Sequence, residues 1–184
     1  MYPWLRLARM GLWVIGKSKV DLLATTRVRL RVWPNDLDFN AHVNNGRYLT
    51  LADIGRVHWF VRTGVLAVAR QQKALPVIGD AIAKFRKDLR VFQSFEIQTR
   101  MIGWDDKWGF LEHRFVRKDR VIGVVAVRGV FRRSDGPVDP GVLLAAVAHT
   151  APSPELPEWA NHFHQGSDLL SEMLRDEERK QGLR

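Results

Sequence analysis

The chain has 184 residues, of which 46% are apolar and 27% are charged, and this composition is typical of one folded domain rather than of a disordered chain. It contains no cysteine, which excludes disulfide scaffolds, cysteine zinc sites and thiol nucleophiles. The formal net charge of the chain is +9: residues 1–135 are strongly basic, whereas residues 136–184 are acidic. A basic surface of this kind attracts phosphorylated ligands, membranes or nucleic acid alike.

Residues 1–21 form a basic amphipathic segment. Its apolar run Leu12–Ile15 is too short to cross a bilayer, and Arg6 and Arg9 interrupt what would be the core of a signal peptide. The segment could lie on an anionic membrane surface or pack on the domain as a terminal helix, and its pattern suits both. We therefore expect a cytoplasmic protein. If the segment lies on a membrane surface, the protein is also peripheral to the membrane.

The pattern of apolar and polar residues over 22–135 predicts an α+β domain. A strand over Thr26–Trp33 alternates apolar side chains with arginines, and a helix over Arg47–Thr63 ends at Gly64. Small residues on that helix, Ala52 and Gly55, would let it approach a sheet closely. Four further strands are predicted at Val77–Phe85, Val91–Met101, Trp108–Arg117 and Val121–Arg132.

Short turns between the last three strands favour antiparallel neighbours. The predicted architecture is therefore a curved five-stranded antiparallel sheet wrapped around one long, buried helix. Residues 136–184 form an acidic C-terminal extension, with predicted helices at Gly141–Ala151 and Asp168–Gln181.

The stretch between the first strand and the helix concentrates polar side chains. It holds two carboxylates, Asp36 and Asp38, one imidazole, His42, and two amides, Asn44 and Asn45. At the start of a helix, backbone N–H groups have no partner within the helix and the dipole is positive. These groups can hold an oxyanion while a carboxylate attacks a carbonyl or activates water, so the stretch suits acyl transfer or hydrolysis. The structural alternative is that the aspartates form Asx turns and an asparagine caps the helix.

The loop and the helix share one extended motif, made of Asp36, Asp38, His42, Val43, Asn44, Asn45, Tyr48, Asp53 and Arg56. This motif resembles the signature of hot-dog fold acyl-CoA thioesterases of the 4-hydroxybenzoyl-CoA thioesterase type, and most closely the branch of thioesterase superfamily member 6-like proteins. The resemblance covers residues 22–135. It departs from the family at Ala41, where relatives often have glycine, and at Asp53, where they usually have glutamate.

The resemblance implies a hot-dog fold, an acyl-CoA substrate, and a homodimer or dimer of dimers with active sites at the subunit interface. It places the catalytic carboxylate on Asp38 and the backbone N–H that polarises the thioester carbonyl on Asn45. Asp36 would support the loop, and His42, Asn44 and Tyr48 would contact the substrate. No metal or other cofactor is implied.

Two other functions remain open. The first is a hydratase or dehydratase that has the hot-dog fold, because the spacing Asp38-x-Asn40-x-His42 is faintly similar to the acid, amide and imidazole set of the hot-dog enoyl-CoA hydratases. A non-catalytic acyl-binding, membrane-associated module is the second alternative. The aromatic residues follow no basic-aromatic repeat, so we expect no nucleic-acid partner.

Several remaining polar residues have a predicted role. Asp53 and Arg56, three residues apart on the helix, are expected to form a local ion pair. His58 is expected to be packed inside, and His113 could equally face solvent. The candidates for binding the coenzyme A phosphates are Arg86, Lys87, Arg90, Arg117, Lys118, Arg120, Arg132 and Arg133.

Overall fold

The computed structural model describes residues 3–183, which form five α-helices, six β-strands and one short 3₁₀ turn. In chain order these are α1 (Trp4–Val14), β1 (Thr26–Arg31), the 3₁₀ turn (Pro34–Asp36), α2 (Asn45–Thr63), α3 (Val65–Gln71), β2 (Leu75–Phe85), β3 (Ser94–Trp104), β4 (Gly109–Arg117), β5 (Arg120–Arg133), β6 (Gly136–Pro137), α4 (Pro140–Ala146) and α5 (Glu158–Lys180).

The sheet has the strand order β1-β3-β4-β5-β2, and every pair is antiparallel. The short β6 adds to β5. The predicted strand over Val91–Met101 begins later, at Ser94, because Phe92 adopts a left-handed φ of 60° and turns the chain. The predicted curved sheet is confirmed, and β1 and β2 are its two edges.

The long helix α2 lies against the inner face of the sheet, as predicted. Its Trp59 side chain has no solvent exposure. A Cβ atom added to Gly55 would lie 2.8 Å from Ile97 Cγ2 and 2.5 Å from Thr99 Oγ1, so only glycine allows this approach. The helix ends at Gly64, whose φ of 84° is the left-handed conformation expected at a C-cap.

The C-terminal extension packs on the domain. Leu143 of α4 is buried with Val68 of α3, a helix that the sequence pattern did not predict. Ala160 of α5 is buried against Ile102 and Phe110 on the outer face of the sheet. This contact extends α5 to Glu158–Lys180, well beyond the predicted Asp168–Gln181, because its first turns are stabilised by the sheet.

The terminal helix α1 also packs on the domain. Its inner side buries Met10 and Val14. Its outer side leaves Leu5 and Leu12 exposed by 88% and 73%. One of the two sequence alternatives, packing on the domain, is therefore observed, and the helix still presents an apolar side to solvent.

Candidate active site

The loop between β1 and α2 folds back on itself at the start of α2. Asp38 N donates to His42 O at 2.8 Å, and Asn44 N donates to Asp36 O at 2.9 Å. Val43 N donates to Leu89 O at 2.8 Å, which ties the loop to the segment after β2. These bonds fold the stretch that holds both aspartates into a compact loop that leads directly into α2.

Asp36 is completely buried and bound by two arginines. Arg6 contacts both carboxylate oxygens, at 3.0 and 2.6 Å, and Arg47 donates to Oδ1 at 2.7 Å. Burial alone would raise the pKa of Asp36, but hydrogen bonds from Arg6, the Trp33 N–H and Arg47 outweigh it and lower that pKa. The prediction that Asp36 supports the loop is confirmed. The sequence contained no signal for Arg6, which lies 30 positions away and acts from α1.

Asp38 is only half buried, and its two oxygens differ. Oδ1 accepts hydrogen bonds from Asn40 N at 2.9 Å and from His42 N at 3.4 Å, as an Asx turn requires. Oδ2 has no hydrogen-bond partner among residues 3–183. The Asx turn therefore orients the carboxylate and leaves one oxygen available for chemistry.

The start of α2, at the end of the same loop, supplies backbone donors. Asn44 is the N-cap, and its side-chain oxygen accepts from Gly46 N at 2.8 Å. Asn45 is the first helical residue, so its N–H has no acceptor within the helix. Ala41 adopts a φ of 58°, so the loop makes a left-handed turn with a small side chain at this position.

His42 and Tyr48 have different surroundings. His42 Nε2 is 3.4 Å from Asp88 Oδ2. Tyr48 is buried, with its ring 5.1 Å from that of Phe85 and 4.8 Å from that of Phe115. Burial, together with the charge of Asp88, raises the pKa of Tyr48 to about 12. The predicted substrate contacts of His42, Asn44 and Tyr48 stay predictions.

Two polar groups lie deeper along α2. Asp53 and Arg56 form the predicted ion pair. His113 is fully buried under Gly55, with Nδ1 2.9 Å from Thr99 Oγ1, so the alternative that it faces solvent is wrong. Burial, and then the charge of Arg56, lowers the pKa of His113 well below its usual value.

A cavity of about 680 Å³, including the solvent space at its mouth, opens at the other end of α2. It is lined by Trp59 and Phe60 of α2, by Val77 and Ile78 of β2, and by Gly109 of β4. The lining is almost entirely apolar. The helix between Asn45 and Trp59 is about 21 Å long, so within one chain the cavity is remote from Asp38. The sequence pattern identified these side chains only as core residues.

The candidate phosphate-binding residues fall into two groups. Six of them follow β2 or lie in the β4–β5 turn, at the same end of the sheet as the Asp38 loop: Arg86, Lys87, Arg90, Arg117, Lys118 and Arg120. Arg132 and Arg133 lie at the opposite end, beside Leu75 and β6. The structure thus places six of the eight candidate phosphate-binding residues at the same end of the sheet as the Asp38 loop.

The described residues contain neither a membrane-spanning helix nor a cluster of metal ligands. None of the helices within residues 3–183 is both long and apolar enough for a bilayer span. Within the same residues, no group of three or more His, Asp or Glu side chains is placed to hold a metal ion.

Known proteins share the sequence and the fold. Residues 32–163 match the family described as the thioesterase-like superfamily. Protein THEM6 of Xenopus laevis is 33% identical over 173 residues, which are 91% of this chain and 83% of that protein. Protein THEM6 of Drosophila melanogaster is 32% identical and covers 86% of this chain and 82% of its own length.

Solved structures share the fold at lower identity. A gentisyl-coenzyme A thioesterase has a TM-score of 0.58 at 24% identity, and covers 67% of this chain and 100% of its own. A 4-hydroxybenzoyl CoA thioesterase has a TM-score of 0.59 at 15% identity, and covers 66% of this chain and 96% of its own. The family match and these folds confirm the predicted hot-dog architecture and the predicted class of thioester hydrolases. The chain belongs to the thioesterase-like superfamily.

Proposed function

We propose that the protein hydrolyses the thioester of an acyl-CoA, with Asp38 as the catalytic carboxylate and the Asn45 backbone N–H as the oxyanion donor. One observation carries the proposal: in the loop that leads into α2, Asp38 has a carboxylate oxygen with no hydrogen-bond partner among residues 3–183, whereas both oxygens of Asp36 are occupied. Solved relatives named as thioesterases of gentisyl-coenzyme A and 4-hydroxybenzoyl CoA support a coenzyme A substrate.

The chemistry requires a carboxylate, backbone N–H groups and water. The thioester carbonyl oxygen accepts a hydrogen bond from the Asn45 N–H, which stabilises the negative charge that develops on it. Asp38 Oδ2 then either attacks the carbonyl carbon, giving an acyl anhydride that water hydrolyses, or takes a proton from a water that attacks. In both routes the C–S bond breaks, the thiolate of coenzyme A leaves, and the acyl group becomes a free acid. Neither route requires a metal or a redox cofactor.

The proposed active unit is a homodimer that pairs two β2 strands. β2 is an edge strand with exposed apolar side chains, including Leu75 at 72% exposure and Ile82 at 43%. An exposed apolar edge is a ready template for another strand. Antiparallel pairing about a two-fold axis would leave each sheet with no open edge at β2.

This pairing would also complete the site. The start of α2 lies at the Phe85 end of β2, because Tyr48 contacts Phe85. The end of α2 lies at the opposite end, because Phe60 contacts Phe131, the strand partner of Pro76. Antiparallel pairing of two β2 strands therefore brings the Asp38 loop of one copy beside the apolar cavity of the other. The cavity volume suits a ligand-sized group, and we propose that it binds the acyl group.

The substitution Asp38→Asn tests the catalytic assignment. It keeps the size of the side chain and its Asx turn but removes the negative charge, so turnover on the best acyl-CoA substrate should fall by at least roughly 100-fold. The free energy of unfolding should change little. Release of free thiol measures the first quantity and chemical denaturation the second.

Asp36→Asn is the matched control. It removes a buried charge from between two arginines and should lower the free energy of unfolding by about 3 kcal/mol, while the folded enzyme keeps more turnover than Asp38→Asn. Near-full turnover of Asp38→Asn would refute the assignment. Loss of double-bond absorbance instead of thiol release would indicate a hydratase, and neither signal would indicate an acyl-binding module.

We also propose that α1 attaches the protein to an anionic membrane surface, and that the protein is cytoplasmic. The outer side of α1 carries Trp4, Leu5 and Leu12, exposed by 70%, 88% and 73%. Lys17 and Lys19 follow the helix and would face the lipid phosphates.

A further inference from the structure

We infer that the second half of α5 pairs with the same helix of a second copy of this chain, across the outer face of the joined sheets. The inference rests on the proposed pairing of two β2 edges and adds to it a contact outside the hot-dog domain. Its basis is the path of α5, an exposed apolar side of that helix, and the distance to the two-fold axis.

The path of α5 crosses the strands of the sheet. Gly103, Phe110, Arg128 and Asp80 are direct neighbours on β3, β4, β5 and β2, and form one row across the outer face. The chain follows this row. Leu156 lies over Gly103, the His164 ring is 5.2 Å from that of Phe110, and Asp168 accepts from Arg128 at 2.6 Å.

Arg128 holds α5 in this orientation across the sheet. It is 1% exposed, and it binds Asp80 of the edge strand as well as His164 and Asp168 of α5. A buried guanidinium with carboxylates on both sides fixes the helix over β5. After Asp168 the helix continues to Lys180, so about 18 Å of helix extends toward and beyond the β2 edge.

This projecting part carries an apolar surface, which we call the α5 stripe. It consists of Leu169, Leu170, Met173 and Leu174, exposed by 66%, 51%, 49% and 47%. Spacings of one, three and four residues place the four side chains on one side of the helix. This side differs from the one that carries His164 and Asp168 toward the sheet. Within residues 3–183, nothing covers the stripe.

The position of the stripe fits a two-fold axis at the β2 edge. From β5 to the midpoint between two paired β2 strands is one and a half strand spacings, or about 7 Å. A helix rises about 1.5 Å per residue, so about five residues span this distance. Counted from Asp168, which lies over β5, the fifth residue is Met173, in the middle of the stripe. Two copies of α5 that run antiparallel and side by side across the paired β2 edges would therefore meet at their stripes. A self-complementary contact of this kind is what a two-fold axis requires.

A single cysteine tests the contact, because the chain contains no other. In the full-length variant Met173→Cys, a short bismaleimide should link most of the protein into covalent dimers. Arg175→Cys, which lies on the opposite side of the same turn, is the control and should give few. Both positions are exposed, so neither variant endangers the fold.

Sedimentation of the unmodified chain separates this inference from the proposed dimer. A monomer would overturn both. A dimer in which Met173→Cys cross-links no better than Arg175→Cys would overturn only the pairing of α5. A fluorophore on Met173→Cys that shifts to the blue with anionic vesicles, without cross-linking, would assign the stripe to a lipid surface and also overturn the pairing.

Discussion

At the scale of single residues, His58 and His113 lie inside the domain, where burial lowers the pKa of both side chains and keeps them uncharged. His58 is 1% exposed, packs against the Trp13 ring at 5.5 Å, and has no hydrogen-bond partner for either ring nitrogen among the residues described. Burial, followed by the charges of Arg62 and Lys17, lowers the pKa of His58 to about 4. His58 is therefore a neutral core side chain that disfavours a proton.

This pKa predicts a loss of stability in mild acid. The ordinary pKa is 6.5, so between about pH 6.5 and pH 4 the unfolded chain binds a proton at His58 that the folded chain does not. Stability consequently falls as the pH falls through this window. His58→Leu should reduce by about 2 kcal/mol the loss that accompanies a change from pH 7 to pH 5.

Urea denaturation at the two pH values, at one fixed protein concentration, measures this difference. His162→Leu is the matched control, because that histidine is 72% exposed. If His58→Leu loses as much stability as the unmodified protein between the two pH values, the titration of another group must be responsible.

At the scale of elements, α1 has apolar side chains on two sides. The inner side is needed by the domain, since Met10 and Val14 are buried and Arg6 holds Asp36. The outer side carries Leu5 and Leu12, which are exposed to solvent in the part of the chain that the structure describes. Deleting the helix would therefore disturb the loop that holds Asp36 and Asp38 as well as any membrane contact, and substitutions on the outer side are the sharper test.

The double variant Leu5→Ser and Leu12→Ser should lose most of its flotation with anionic vesicles while it keeps its thioesterase activity. The reason is that burying two leucine side chains contributes about 3 kcal/mol or more to interfacial binding. The pair Leu169→Ser and Leu170→Ser is the control, with equal apolar loss on α5. Equal flotation of all three proteins would exclude α1 as the anchor.

At the scale of the whole molecule, the proposed site combines the Asp38 loop of one copy with the cavity of the other. Gly109 offers a way to block the cavity. A Cβ at this position would lie 3.5 Å from Met101 Cε and 3.8 Å from Gly129 O, which are ordinary contacts. Gly109→Leu should therefore fill the cavity without disturbing the backbone.

Mixed dimers of Asp38→Asn and Gly109→Leu test whether the site is shared. Each variant alone should be nearly inactive. After co-expression, one site of each mixed dimer combines an intact Asp38 with an intact cavity, so about a quarter of the unmodified turnover should return, since half of the dimers are mixed. No recovery from a verified mixed dimer would place the carboxylate and the cavity of one site in the same chain.

The sequence by itself determined the local parts of this protein. Apolar side chains alternate with arginines over Thr26–Trp33, and apolar residues recur at helical spacing before Gly64. Both patterns depend only on residues close together in the chain, so the strands and the central helix are predicted within a few positions. The polar loop from Asp36 to Asn45 was also a local signal, and it identified the family. Phe92 marks the limit, because a left-handed turn broke a run of residues that favours a strand.

Only the tertiary structure decided how the parts act on one another. It distinguished the two aspartates, because Arg6 binds Asp36 from 30 positions away, whereas Asp38 has no ion pair among residues 3–183. It buried His113 under Gly55, and it docked α5 through Arg128. These contacts join residues far apart in the chain, and such pairs leave no periodic pattern in the sequence. Their energies depend on burial and on geometry that exists only once the sheet and α2 have packed.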